Sequence, residues 1–155
     1  MLNLMWWLCV FIAGIMAQSR VPGVDFLAAG FVLALQEERG TKSLWLALAA
    51  ILIQEGDGSL AFGSGLIWYG ALAAMYFFGH YLFEAKNFLF MIILGACQGA
   101  MHILLSLMMA SLQDWSVVPE RLWLEAIVQA VVFPMEWGLL YIIYHNLPLR
   151  HARTV

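Results

Sequence analysis

The chain has 155 residues, of which 64% are hydrophobic and 11% are charged, and its mean hydropathy is +0.86. Soluble domains are about 45–50% apolar and about 25% charged, so the composition predicts an integral membrane protein with one transmembrane domain. That domain would cover residues 1–155, which leaves no room for a separate soluble catalytic domain. The net charge of −3 is carried by few residues and does not indicate a nucleic-acid partner.

Six apolar segments predict six helices: Leu2–Ala17, Val24–Leu35, Leu44–Ile53, Leu60–Phe83, Phe88–Leu112 and Leu122–Leu147. The first is expected to be a retained membrane helix rather than a signal peptide, because no Lys or Arg precedes it. The last three are long enough to span a bilayer, whereas the second and third are short. The short segments either extend into their polar flanks or form partial helices surrounded by protein or a cavity.

The positive charges predict the topology of a six-helix chain. Five lie on the side that the two termini would share with the second and fourth loops, namely Arg39, Lys42, Lys86, Arg150 and Arg153. The opposite side has Arg20 and Arg121. Positively charged loops stay in the cytoplasm, so both termini are expected there.

A polar segment interrupts the apolar pattern between the third and fourth helices: Gln54, Glu55, Gly56, Asp57, Gly58 and Ser59. Carboxylates at bilayer depth are costly and often mark a functional site, which would favour an ion site. The short preceding helix and the glycines instead favour a tight turn. We therefore interpret Glu55 and Asp57 first as a polar hinge between two partial helices.

Two later segments each carry a narrow polar stripe. At 100° per residue, Gln98, His102, Ser106 and Gln113 lie on one side of the fifth helix, and Glu125, Gln129 and Glu136 on one side of the sixth. The stripes would hydrogen-bond between neighbouring helices, form a proton or ion relay through His102 and Glu136, or contact a partner protein.

Small residues predict two close-packing faces, which indicate a packed bundle or an oligomer: Ser59, Gly63, Gly70 and Ala74 in the fourth segment, with Ala13 and Ala17 in the first. His80 and Glu84 share a helix face, but two ligands do not make a metal site. No phosphate-binding loop or catalytic motif is present in the sequence. We therefore predict a protein that is not an enzyme and has no cofactor.

Three segments resemble the signatures of the MreD family of rod shape-determining proteins: Val21–Leu27, Leu33–Gly40 and Ile51–Gly63. They match a Pro-Asp-apolar helix that ends in a basic residue and glycine, followed by a short helix, a Ser/Gly turn and a Leu-Gly start of the next helix. Departures occur at Glu55, where the family usually has Asp, and at Gly23 and Val24, which separate Pro22 from Asp25. Glu37 and Glu38 also dilute the basic end of the second helix.

The resemblance implies an all-α bundle of about six membrane helices, similar in fold to the substrate-binding subunits of energy-coupling-factor vitamin transporters. It implies a non-catalytic scaffold in the bacterial inner membrane, in the cell-wall elongation machinery. The implied partner is an MreC-like single-span protein, with links to wall synthases and an actin-like filament; a second copy of this chain is another candidate.

Two other functions remain open from the sequence. The chain could be a small-solute or vitamin-binding transport subunit, in which the polar turn and the stripes with His102 and Glu136 line a ligand cavity. It could also be an anchor subunit of a larger redox or ion-translocating membrane complex.

Overall fold

A computed structural model describes residues 2–21, 23–37, 40–56, 63–84, 86–114 and 116–146. These residues form six helices and no strand: α1 Leu2–Gln18, α2 Ala28–Glu37, α3 Gly40–Gly56, α4 Ser64–Leu82, α5 Phe88–Gln113 and α6 Pro119–Asn146. The prediction of an all-α chain is confirmed. Within these residues, α5 and α6 are long and apolar enough to cross a membrane, whereas α4 is not among such helices.

The two short segments behave differently. Helix α3 extends into its polar flanks and reaches 17 residues, whereas α2 stops at 10 residues. At 1.5 Å per residue, α2 is about 15 Å long, roughly half the thickness of a bilayer core. Thus α3 follows the first alternative drawn from the sequence, and α2 follows the second.

Helix α2 is the buried centre of the bundle. Seven consecutive residues, from Ala28 to Ala34, are buried, and they pack against α3, α4 and α6. Helix α1 covers another side, where Val10 approaches Gly30 and Leu27 approaches Gly14. A half-length helix is tolerated here because protein, and not lipid, surrounds it.

Helices α5 and α6 form a closely packed antiparallel pair. A Cβ atom at Gly95 would lie 2.7 Å from the carbonyl oxygen of Ala130, and one at Gly99 would lie 2.6 Å from that of Ala126. Both distances are too short for a real Cβ, so the backbones approach because these positions are glycine.

Three of the small residues predicted to form packing faces, Ala13, Gly70 and Ala74, are exposed, so they do not pack between the described helices of this chain. Ala17 is half-buried, and the buried small residue of α1 is Gly14. Gly63 precedes α4 in the left-handed conformation, with φ of 85°, and has a conformational role rather than a packing role.

The helices alternate in direction, so the loops fall at two ends. At one end, Lys86 Nζ lies 2.7 Å from Glu37 Oε1, and His145 Nε2 lies 3.6 Å from the same oxygen. The rings of Trp6 and Tyr144 meet there too, with centroids 6.0 Å apart. One end of the bundle therefore holds the second loop, the fourth loop, the start of α1 and the end of α6. We call it the terminal end, and we call the other the loop end.

The glycine seam gives a stability prediction. We expect Gly99→Ala to lower the free energy of unfolding in mixed micelles by about 1–3 kcal/mol, because the new methyl group meets the Ala126 carbonyl. The matched control is Gly70→Ala, where the new methyl group has open space. This control should raise stability by about 0.5–1 kcal/mol through helix propensity. Equal effects of the two substitutions would contradict the packing.

Candidate functional site

The Asp25 carboxylate connects the first loop with α3 and α4. Its Oδ1 atom accepts hydrogen bonds from the Leu27 backbone N–H at 2.9 Å, the Gln54 amide at 2.8 Å and the Tyr69 hydroxyl at 3.2 Å. Its Oδ2 atom accepts from the Trp68 indole N–H at 2.7 Å. The bond to Leu27 forms an Asx-turn, which directs the chain into α2.

The backbone of Asp25 brings α6 into the same network. Its N–H donates to Gln129 Oε1 at 2.7 Å, and its carbonyl oxygen lies 3.4 Å from Gln129 Nε2. Gln54 also donates to the Tyr69 hydroxyl at 3.0 Å. Gln54 and Gln129 are 2% and 1% exposed, so the network pairs amides that would be costly to bury alone. We call these residues the Asp25 network.

A charged cluster lies beside this network. Glu125 Oε1 accepts from Arg121 Nε at 2.7 Å, and Glu125 Oε2 lies 3.3 Å from His102 Nε2. The Trp68 ring meets the His102 ring edge to face, with centroids 6.3 Å apart. A side chain at Gly23 would meet the Glu125 carboxylate, and Gly23 has a φ of 89°. Glycine therefore lets the first loop lie directly on Glu125.

The two groups line one cavity at the loop end of the bundle, with a volume of about 950 Å³. Its polar side includes Asp25, Gln54, His102 and Glu125. Its apolar side comes mainly from α1 and the second half of α5, with the loop before α6: Ile15, Leu105, Met109, Ala110 and Val117. A cavity of this size, with few polar groups among apolar walls, is typical of a small-molecule site.

The predicted polar turn lies only partly in the described residues. Gln54, Glu55 and Gly56 form the last turn of α3, so they end a helix rather than form the turn itself. Asp57, Gly58 and Ser59 lie outside the described residues. Glu55 Oε1 accepts from the Gly63 N–H at 3.0 Å and from the Gly65 N–H at 3.3 Å, so it satisfies donors at the start of α4.

The predicted stripes meet at one point. His102 and Glu125 contact each other, and Ser106 lines the cavity with them. The carboxylate beside His102 is that of Glu125 and not that of Glu136, so the described contacts do not form the predicted relay from His102 to Glu136. Pro134 lies inside α6, close to the midpoint of the helix, and precedes Glu136 by two residues.

Two polar side chains of the stripes lie away from the cavity. Gln98 is fully buried, and neither its amide nitrogen nor its oxygen has a hydrogen-bond partner within the described residues. Glu136 is half-buried, and its Oε2 atom has none there either. The side chain of Gln113 lies outside the description. The stripes therefore divide into a cavity part, formed by His102, Ser106 and Glu125, and a deeper part.

Sequence reasoning did not include Asp25, Trp68, Tyr69 and Arg121 in the site. Asp25 carried a usable signal, because a carboxylate inside an apolar segment marks a functional position. Trp68 and Tyr69 carried none, because aromatic residues near a helix end are expected at a membrane interface. Gly95 and Gly99 have the spacing of a close helix contact, which would have revealed the α5–α6 seam.

The Asp25 network gives a second stability prediction. We expect Asp25→Ala to lower the free energy of unfolding by at least about 3 kcal/mol, since several donors lose an acceptor and each buried unsatisfied group costs about 1–3 kcal/mol. Glu84→Ala is the control, because Glu84 is exposed. Unfolding in mixed micelles, followed by tryptophan fluorescence, measures both variants. If the free energy of unfolding falls no further in Asp25→Ala than in the control, the network does not stabilise the bundle.

The Glu55 contacts give a local prediction. In Glu55→Ala, the N–H groups of Gly63 and Gly65 lose their acceptor. We therefore expect the free energy of unfolding to fall by about 0.5–2 kcal/mol, as for other helix caps. Amide hydrogen exchange should accelerate in the first turn of α4 and stay unchanged in the middle of α5. Unchanged exchange at Gly65 would rule out the capping role.

No protein-family model, curated protein or solved structure matches this chain. The resemblance to MreD therefore stays a prediction from three sequence segments. The function has to be argued from the geometry of the bundle and its cavity.

Proposed function

We propose that this chain is a non-catalytic membrane scaffold subunit that resembles MreD and acts in the cell-wall elongation machinery. It would lie in the bacterial inner membrane as a compact bundle of six helices. The length and apolar character of α5 and α6 support a membrane location, as does the hydrophobic content of 64%.

The observation that carries the proposal is the outer face of α4. Gly70 and Ala74 are exposed, and nothing lies within 4 Å of where a Cβ of Gly70 would be. Large exposed side chains flank them along the same helix, with Leu66 67% and Phe78 75% exposed. Small residues between large ones let a second helix approach closely in a membrane. The described residues leave this surface uncovered, so a helix from another protein can pack on it.

The proposed occupant is the single span of an MreC-like protein, as the resemblance implies. Its soluble part would lie in the periplasm and connect the scaffold to wall synthases, and to an actin-like filament on the other side of the membrane. A second copy of this chain would fit the same kind of surface and is the competing occupant. The scaffold would act by association, with its rigidity coming from the Asp25 network.

The distribution of positive charge supports cytoplasmic termini. Lys42 and Lys86 lie at the terminal end, to which the sequence also assigns Arg39, Arg150 and Arg153, whereas Arg20 and Arg121 lie at the loop end. By the positive-inside rule, this excess favours a cytoplasmic terminal end. In this orientation, the cavity opens on the periplasmic side of the bundle.

The α4 surface gives an association prediction. We expect Gly70→Leu and Ala74→Leu to reduce recovery of an MreC-like protein from native membranes by about tenfold, which corresponds to about 1.4 kcal/mol of lost association. The reason is that a leucine holds the partner helix away from the α4 backbone. The matched control is Ala100→Leu, at an exposed alanine of α5. Affinity purification followed by mass spectrometry provides the measurement.

Three outcomes would count against the scaffold. Equal recovery from all three variants would show that the partner does not pack on α4. Recovery of a second copy of this chain alone would replace the MreC-like occupant with a homodimer. Recovery of ATPase subunits would favour the transport-subunit alternative.

A further inference from the structure

The Asp25 carboxylate lines the cavity, and it has no cationic partner among the described residues. Its four hydrogen-bond donors are a backbone N–H, an amide, a phenol and an indole, which are all neutral. No Lys or Arg of the described residues forms an ion pair with it. The nitrogen atoms of Leu27, Gln54 and Trp68 that contact Asp25 can donate a hydrogen bond but cannot accept one. The arrangement therefore suits an ionised carboxylate, whose charge is spread by hydrogen bonds but not neutralised.

The charges around the cavity do not balance. Among the described residues that line it, Asp25 and Glu125 are acidic, Arg121 is basic, and His102 is the remaining ionisable group. Arg121 is already paired with Glu125 at 2.7 Å, and His102 faces the second oxygen of the same carboxylate. An ionised Asp25 therefore has no positive partner among the described residues that line the cavity. Buried or half-buried charges in proteins are normally paired.

The walls around Asp25 suit an organic cation better than a metal ion. Trp68 lines the cavity and donates its N–H to Asp25 Oδ2, so the carboxylate lies at the cavity wall beside an apolar ring. Apolar side chains such as Leu105 and Met109 line the other side, where the carbon part of a ligand would contact them. Within the described residues, no group of three or more acidic, His or Cys side chains could hold a metal.

We propose that this cavity binds an organic cation, with its ammonium group at Asp25 and its apolar part against α5. The ammonium can come from a free amine or from a lipid headgroup, and the two share this chemistry. The inference goes beyond the scaffold function and does not depend on it, because it rests on the loop end of the bundle, whereas the scaffold proposal rests on the outer face of α4.

A series of probes that differ in charge tests the ligand class. The purified full-length protein, in detergent, is titrated calorimetrically with 2-phenylethylammonium, 2-phenylethanol and phenylacetate, which share a phenyl group. We expect the ammonium probe to bind at least about tenfold more tightly than the other two. Equal binding of the ammonium and alcohol probes would overturn the proposal, and so would preferential binding of phenylacetate or the binding of none of the three.

Variants assign the binding to this cavity. Asp25→Asn and Glu125→Gln should each lower the affinity for the ammonium probe by about tenfold or more, because each removes a carboxylate from the cavity lining. The matched control is Glu84→Gln, the same substitution at an exposed residue outside the cavity lining, and it should leave the affinity within about twofold. Unchanged affinity in Glu125→Gln, or an equal loss in Glu84→Gln, would contradict the assignment.

A cavity-filling variant keeps the test independent of the Asp25 network. Leu105→Trp should abolish binding of every probe, because it places a larger side chain in the cavity while leaving the network untouched. If Asp25→Asn does not fold, Glu125→Gln and Leu105→Trp decide the outcome. Full binding by Leu105→Trp would place the ammonium site elsewhere and overturn the proposal.

The source of the ammonium follows from a comparison of two membranes. The ammonium probe is titrated against protein in nanodiscs of phosphatidylglycerol alone and in nanodiscs that also contain phosphatidylethanolamine. A weaker apparent affinity in the second membrane means that the lipid headgroup competes for the cavity and is the natural occupant. Equal affinities mean that the cavity selects a free amine. Both results support the ammonium class, and absence of binding in both membranes would overturn it.

Discussion

The fold of the bundle depends on the hydrogen bonds that one carboxylate, that of Asp25, accepts in apolar surroundings. The Asp25 side chain accepts hydrogen bonds from the first loop, α3 and α4, and its backbone N–H donates one to Gln129 of α6. An unpaired polar group is more costly in such a place than in water, so each of these elements is held at a defined distance from the others. The same requirement explains why α2 can be half-length. Hydrogen bonds hold the start of α2, and the length of α2 does not have to match the thickness of the hydrocarbon layer.

The helices were predictable from the sequence because apolar runs with polar interruptions leave few alternatives. The ends of α1 and α5 differ by one residue from the predicted segments. The site was only partly predictable. His102 and Glu125 belong to stripes that periodicity reveals, but periodicity gives the face of a helix and not its neighbour. The pairing of Glu125 with His102 depends on the axial offset between α5 and α6, which Gly95 and Gly99 set through close backbone contact.

Scaffold and ligand site occupy different parts of the same molecule, and they impose different demands. An association surface on α4 needs small exposed residues and a rigid backbone, and it tolerates lipid when the partner is absent. A cavity at the loop end needs water or a ligand to contact its polar side. The Asp25 network touches both regions, since Trp68 and Tyr69 belong to α4 while Asp25 lines the cavity. A ligand at Asp25 would therefore act directly on the helix that carries the partner surface.

The bond between Asp25 and Gln129 joins residues 104 positions apart. At a translation rate of about 5–20 residues per second, Gln129 is made about 5–20 s after Asp25. Gln54, Trp68 and Tyr69 are made earlier, so the side-chain donors to the Asp25 carboxylate are present before the α6 partner of its backbone. Helices α1 to α4 are therefore synthesised before the α6 residue that binds the Asp25 backbone, and the hydrogen-bond network can be completed only after α6 has been made.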